Sequence, residues 1–369
     1  MTTFSLHTEI HTGDDAFDVL ARFRDMRVLI VTDAFLATTE MFRDVTARLG
    51  STVTVFDQVE PNPTIHLVGK GTACYLAAEP EVVIALGGGS PIDAAKAMHK
   101  AALTVGKGAR EGLVAIPTTS GSGSEVTSYA VITDEETHAK LPMVSPDLRP
   151  RMAILDPRAV VGAPPTVTVD SGMDALTHSI EAYVSTGAGD FSDACAEKSA
   201  QLVFANLHAC YANGSDLFAR RRMHNASTLA AIAFDNAGLG IVHSLAHALG
   251  GRYPVAHGRL NAMLLTHVMT YNAERSERAS RKYAWLAHLV GCSSGSNVKA
   301  GVFSLIGAVD KLRASLGIPS RLADAGVSPA DLRASLDDLA EIAMADGCTP
   351  SNPVVPTRED LVDILRQLL

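Results

Sequence analysis

Apolar residues follow two different rhythms along the chain. Up to about residue 155, short and nearly unbroken apolar runs alternate with stretches at helical spacing. The runs Arg27–Asp33, Thr52–Phe56, Val82–Leu86 and Leu113–Ile116 read as strands. Strands apolar on both faces and separated by helices predict a parallel sheet covered on both sides. From about Pro164 the rhythm changes to long Ala- and Leu-rich stretches at helical spacing, as in Asp193–Asn206, Arg220–Phe234 and Asn297–Leu316. The pattern predicts α/β plus all-α: an N-terminal parallel-sheet domain over 1–160 and a helical domain over 161–369, with a junction near Asp156-Pro157 to Pro165. Ligands of such proteins usually bind between the domains or at the carboxyl ends of the parallel strands.

Composition narrows the function classes. Hydrophobic residues make up 47% and charged residues 19% of the chain, which fits a well-buried enzyme and argues against disorder. A net charge of −9 with no basic stripe argues against a nucleic-acid partner. The five cysteines are scattered and lack any C-x-x-C spacing, so they read as reduced thiols of a cytoplasmic protein rather than as metal ligands. The stretch Met1–Glu9 carries no basic region followed by an apolar one, as a signal peptide would. No apolar segment approaches the ~20 residues needed to cross a bilayer, so no membrane partner is expected.

Candidate chemistry lies in the helical half. Asp174 and His178 are spaced i, i+4 in Ser171-Gly-Met-Asp-Ala-Leu-Thr-His178, which puts both on one face of a helix. His243 and His247 repeat that spacing, and His257 follows after Gly250-Gly251, which read as a helix stop. One such pair alone is more often a capping or hydrogen-bonded pair. Two pairs and a further histidine suit a divalent ion such as Fe(II) or Zn(II), able to polarise an alcohol or carbonyl oxygen. Spacing leaves open whether His243 or His247 is the ligand, because both face the same way.

The N-terminal half carries phosphate-binding features. Gly87-Gly-Gly-Ser-Pro-Ile-Asp-Ala-Ala-Lys96 follows a strand and opens a helix, offering exposed amides and a positive helix end to a pyrophosphate. A lone glycine-rich turn is often only a tight turn, and this is not G-x-G-x-x-G. A second hydroxyl-rich turn, Pro117-Thr-Thr-Ser-Gly-Ser-Gly-Ser-Glu-Val-Thr127, follows the next strand, and together the two turns favour a nucleotide. Asp33 ends the first predicted strand. It reads equally as an acceptor for an adenosine ribose and as a helix N-cap. No Arg follows it to compensate a 2′-phosphate, which favours NAD over NADP.

With these segments quoted, the chain resembles the iron-containing (group III) alcohol dehydrogenases over nearly its whole length. Pro61-Asn-Pro-Thr64, Gly87–Lys96, Pro117–Thr127, Leu155-Asp-Pro157, Gly172–Tyr183 and His243–His257 carry the resemblance. Met223-His-Asn-Ala-Ser-Thr-Leu-Ala230 and the short N-terminus look most like the propanol and ethanol dehydrogenases of propanediol and ethanolamine catabolism. The resemblance implies a Rossmann-like domain followed by a helical metal-binding domain, the dehydroquinate synthase-like fold, with the site in the cleft. It implies Asp174, His178, His243 and His257 as metal ligands and His247 as a nearby non-ligand; one helical turn from a ligand, His247 is the candidate catalytic proton relay. It further implies cofactor contacts at Asp33, Asn62, Gly88, Gly89, Ser90, Asp93, Thr118, Thr119, Thr127 and Lys140, with NAD and Fe(II) as cofactors and Zn(II) as the alternative metal. The expected reaction is hydride transfer between NAD(H) and a short-chain primary alcohol or aldehyde, in a homodimer or larger homo-oligomer. Arg259-Leu260 departs from the small or apolar pair the family usually has there. Arg259 either points to solvent or pairs with an acid, or else favours an anionic carbonyl substrate, as in a maleylacetate-type reductase. A non-redox dehydroquinate-synthase-like lyase is the remaining alternative.

Overall fold

The apolar runs of the first half assemble into a six-stranded, all-parallel sheet of order β1-β8-β5-β4-β2-β3. A computed structural model describes residues 3–50, 52–136 and 140–369, so Met1 and Thr2 of the N-terminal stretch lie outside the described residues. The chain divides into two compact units, one of residues 5–164 with 214–228, the other of 165–213 and 229–369 with the chain start through Phe4.

In the first unit the elements run β1 (Glu9–Thr12), β2 (Val28–Val31), α1 (Glu40–Leu49), β3 (Val53–Phe56), α2 (Ile65–Ala78), β4 (Val82–Gly87) and α3 (Gly89–Thr104). There follow β5 (Leu113–Pro117), β6 (Tyr129–Thr133), β7 (Lys140–Val144) and β8 (Met152–Leu155), with β6 and β7 forming a separate antiparallel pair. The four predicted strands are all present within a few residues. Alternate residues of each strand feed two cores. Val28, Ile30, Val82, Ile84, Val114 and Ile116 pack with Phe17, Leu20 and α1 residues on one face. Leu29, Val31, Val83, Ala85, Leu113 and Ala115 pack with Tyr75 of α2 and Ile92 and Met98 of α3 on the other. Burying each Val, Leu or Ile contributes roughly 1.5–3 kcal/mol, which explains why both faces are apolar.

Strand order locates a ligand site. From β2 the chain crosses to β3 on one side, then returns to β4 on the other, so the direction of winding reverses between β2 and β4. Ligands of open parallel sheets bind outside the carboxyl ends at that reversal. Asp33 follows the end of β2, and Gly88–Ser90 follow the end of β4.

The second unit is helical: α4 (Pro165–Val184), α5 (Asp190–Ala212), α6 (Leu217–Ala237, whose first part belongs to the sheet unit), α7 (Ile241–Arg252) and α8 (His257–Arg275). α9 (Glu277–Leu289), α10 (Val298–Ser315), α11 (Pro329–Ala345) and α12 (Arg358–Arg366) complete it. α4 packs on α5 and α8, and α7 on α8 and α11. The expected stop at Gly250-Gly251 does not occur: α7 runs through both to Arg252, and Tyr253 after it is extended at φ −120°, ψ 140°. Pro254 disfavours helical backbone in the residue before it, and that outweighs the weak preference of two glycines. Among the described residues no single helix is long and apolar enough to cross a membrane.

Candidate metal and dinucleotide sites

α4 brings Asp174 and His178 to one face, α7 brings His243, and the first residue of α8 is His257. The Nε2 atoms of His178, His243 and His257 each lie 3.7 Å from the same oxygen, Asp174 Oδ1. That is too far for hydrogen bonds, but donors about 2.1 Å from one ion stand roughly 3.4–3.7 Å from one another. Asp174, His178 and His243 are all buried. Gly258 lets α8 start this close to α4, since a Cβ there would sit 2.0 Å from the Asp170 carbonyl oxygen.

Two neighbours prepare these donors. His243 Nδ1 donates to Glu181 Oε2 at 2.5 Å, while Glu181 Oε1 accepts from the Val242 amide at 2.7 Å. That bond fixes the proton on Nδ1 and turns the Nε2 lone pair toward Asp174. The Asn261 amide donates to Asp174 Oδ1 at 2.7 Å and lies 3.2 and 3.1 Å from Nε2 of His243 and His257, so the acceptor atoms converge on one point. Burial would raise the Asp174 carboxyl, but the surrounding imidazoles outweigh it and hold it well below the usual carboxylate range. Burial would lower His243, but Glu181 and Asp174 push it up to about 9.

His247, one turn beyond His243, is set apart. Its side chain is 35% exposed against 2% for His243, and its Nδ1 donates to Asp346 Oδ2 at 2.9 Å. Its ring stacks on that of His257 at 5.3 Å. The arrangement leaves His247 Nε2 available to take and release a proton. Arg259 donates from Nε to Asp170 Oδ1 at 3.1 Å, so it pairs with an acid.

Of the residues expected to meet a dinucleotide, Asp33 follows β2, Gly88–Ser90 follow β4 and Thr118 and Thr119 follow β5. A Cβ on Gly88 would lie 3.2 Å from Thr119, which shows how closely the two turns approach. The Thr118 amide donates to the Gly87 carbonyl at 2.9 Å. Ser90 Oγ accepts from the Asn62 amide at 3.3 Å, and Lys140 Nζ donates to Asn62 Oδ1 at 2.5 Å and Thr133 Oγ1 at 3.0 Å. Three expected residues bond chiefly to the protein. Asp93 accepts from Ser124 Oγ and the Val131 amide. The Thr127 hydroxyl and carbonyl accept from Lys96 Nζ, which is fully buried and also reaches the Tyr129 carbonyl. Asp33 Oδ1 accepts from the Leu36 amide at 2.8 Å, the capping role.

Residues 7–157 match the family described as iron-containing alcohol dehydrogenase, and residues 168–369 match its C-terminal part. The chain belongs to the iron-containing alcohol dehydrogenase family. Over the full length of both chains it is 43% identical to the 1-propanol dehydrogenase PduQ of Citrobacter freundii. It is 37% identical to an NAD-dependent methanol dehydrogenase of Bacillus methanolicus, over 93% of this chain and 92% of that one. A solved 1,3-propanediol oxidoreductase superposes with a TM-score of 0.93 at 35% identity, covering 100% of each chain. As an iron-containing alcohol dehydrogenase, the protein has the Rossmann-like parallel sheet and the helical part that the resemblance implied.

Sequence reasoning missed Glu181, Asn261 and Asp346. Two had a local signal: Glu181 is three residues after His178, and Asn261 four after His257, each on its ligand's own helix face. Asp346 had none, lying 99 residues from the histidine it holds.

Proposed function

We propose that the protein interconverts a short-chain primary alcohol and its aldehyde with NAD(H), using Asp174, His178, His243 and His257 to hold Fe(II). The observation that carries this reading is the convergence of three Nε2 atoms on one carboxylate oxygen, each 3.7 Å away. The donor set fits a divalent ion: one oxygen and three nitrogens suit Fe(II) and Zn(II) alike, with no thiolate to favour zinc. When bound, the ion supplies Lewis acidity toward the substrate oxygen, and the nicotinamide gives or accepts the hydride.

The side chains would divide the remaining work. Glu181 holds the His243 tautomer, and Asn261 orients Asp174. The stacked, half-exposed His247 is placed to carry the alcohol proton toward solvent, with Asp346 fixing its ring. Gly88, Gly89, Ser90, Thr118 and Thr119 form the cradle expected to receive the pyrophosphate, with Asn62 and Lys140 beside it. Asp93 and Thr127 support that cradle from within, while the second oxygen of Asp33 is assigned to the ribose. The reading takes the enzyme to be cytoplasmic and a homodimer or larger homo-oligomer.

The anionic-substrate alternative rested on Arg259, whose guanidinium is paired with Asp170. A panel of short alcohols and aldehydes with and without a carboxylate, run on anaerobically purified protein of known metal content, tests the reading. Arg259→Ala is expected to leave the preference among them unchanged. A selective rise in KM for the carboxylated members would restore the alternative.

A further inference from the structure

A second group of metal-binding side chains lies beside the first. α7 supplies His247, and the turn after α11 supplies Asp346 and Cys348. One nitrogen, one carboxylate oxygen and one sulfur from these three residues all lie within 4.8 Å of one another. Asp346 ties the group together: Oδ2 accepts from His247 Nδ1 at 2.9 Å, and Oδ1 accepts from the Cys348 amide at 2.8 Å and from Ser244 Oγ at 3.3 Å. All three residues are partly exposed, so an ion can reach them and solvent can complete its coordination.

We propose that His247, Asp346 and Cys348 form a separate, inhibitory site for zinc. The chemistry of the donors selects the ion. Sulfur, imidazole and carboxylate together suit Zn(II) and its probe Co(II), whereas hard ions such as Mg(II) take oxygen donors. Burial and the neighbouring Asp346 and Glu181 push the Cys348 thiol up, so the entering ion has to displace its proton to solvent, and the thiolate then formed neutralises the double charge together with the Asp346 carboxylate. Zinc in and one thiol proton out take the group from −1 to neutral, so a second ion bound near the first set leaves no net positive charge at its own site. Zinc held there would occupy the imidazole assigned to proton transfer and block turnover while the metal at Asp174 stays in place. The inhibition rests on the role given to His247 under the proposed function; the binding does not.

The two sites are spectroscopically distinct, because Asp174 and its three histidines include no sulfur. Metal-free full-length protein titrated anaerobically with Co(II) is expected to bind two equivalents per chain, one of them with a thiolate-to-cobalt charge-transfer band in the near ultraviolet. Cys348→Ser should lose the band and one equivalent but keep the other, and Asp346→Asn should weaken the second equivalent tenfold or more. In the iron-loaded enzyme, added Zn(II) should suppress NAD-linked turnover with iron still bound, and at least tenfold more zinc should be needed in Cys348→Ser. A single equivalent without the band, a band that survives Cys348→Ser, or inhibition only in step with iron release would each overturn the proposal. Absence of alcohol turnover would sink the functional reading while leaving the cobalt result to stand or fall alone.

Discussion

His243 and His247 lie one turn apart on α7, and each has a carboxylate on its Nδ1. What separates them is burial: the His243–Glu181 pair is sealed, whereas the His247–Asp346 pair is open to solvent. The Nε2 of the sealed ring faces Asp174 Oδ1 at 3.7 Å, which suits a ligand, and the open ring has solvent beside it, which suits a proton carrier. Glu181→Gln is therefore expected to weaken metal binding about 10–100-fold, read by competition with a chelator. His247→Ala should keep the iron held at Asp174 and lose roughly 10²–10⁴ in kcat. A His247 variant that sheds iron, beside a His243 variant that retains it, would exchange the two roles. At this scale the histidines and Asp174 were legible from i, i+4 spacing, but the choice between His243 and His247 was not. That choice depends on Asp346, which only the folded chain brings near, and on Glu181, which was one further step along an already recognised helix face.

Between elements, two close contacts set the geometry. Gly258 at the start of α8 touches the Asp170 carbonyl of α4, so Gly258→Ala must push His257 away from Asp174. Overpacking of this kind costs about 1–3 kcal/mol or more. The variant should keep its helical circular dichroism and lose bound metal, and full metal retention would show that the contact does not matter. The second contact ties the start of α6 to the Pro117–Thr127 turn, through Ser120 Oγ with His224 Nδ1 at 3.0 Å and Thr228 Oγ1 donating to Glu125 at 2.6 Å. Burial pushes His224 down to about 4, partly opposed by the Pro117 backbone. The unfolded chain then binds the extra proton between about 6.5 and 4, so this contribution is intact above 6.5 and lost as pH falls toward 4. The loss is about 3 kcal/mol. Urea unfolding at pH 7 and pH 4.5 should show a markedly smaller pH dependence for His224→Gln, and an equal dependence would reject the assignment. Three of the strands that escaped the sequence reading share a physical reason. β1 is a polar edge strand, and β6 and β7 alternate or lie exposed, so none of the three presents the two-faced apolar run of β2, β4 and β5; β8 does present one, four buried apolar residues like β2.

At the scale of the molecule, each half of the proposed chemistry is contained in one unit: Asp174, His178, His243 and His257 in the helical unit, the Gly87–Ser90 and Pro117–Thr127 turns in the sheet unit. Chelator-treated protein should accordingly still bind NADH, and a loss of NADH affinity in step with metal would contradict that separation. The two-part organisation was legible because a change in apolar rhythm accompanies a change in layer architecture. The assignment of residues 214–228 to the sheet unit was not, because the first half of α6 carries the same helical spacing as the rest. The most direct test of the central claim follows NADH formation from NAD and 1-propanol by absorbance, using anaerobically purified, iron-loaded protein beside Asp174→Ala. The predicted result is turnover that scales with bound Fe(II), is lower with zinc, and is abolished together with metal retention in the variant. No NAD(H)-linked change with any short alcohol or aldehyde at full iron occupancy, or unchanged turnover in Asp174→Ala, would contradict it.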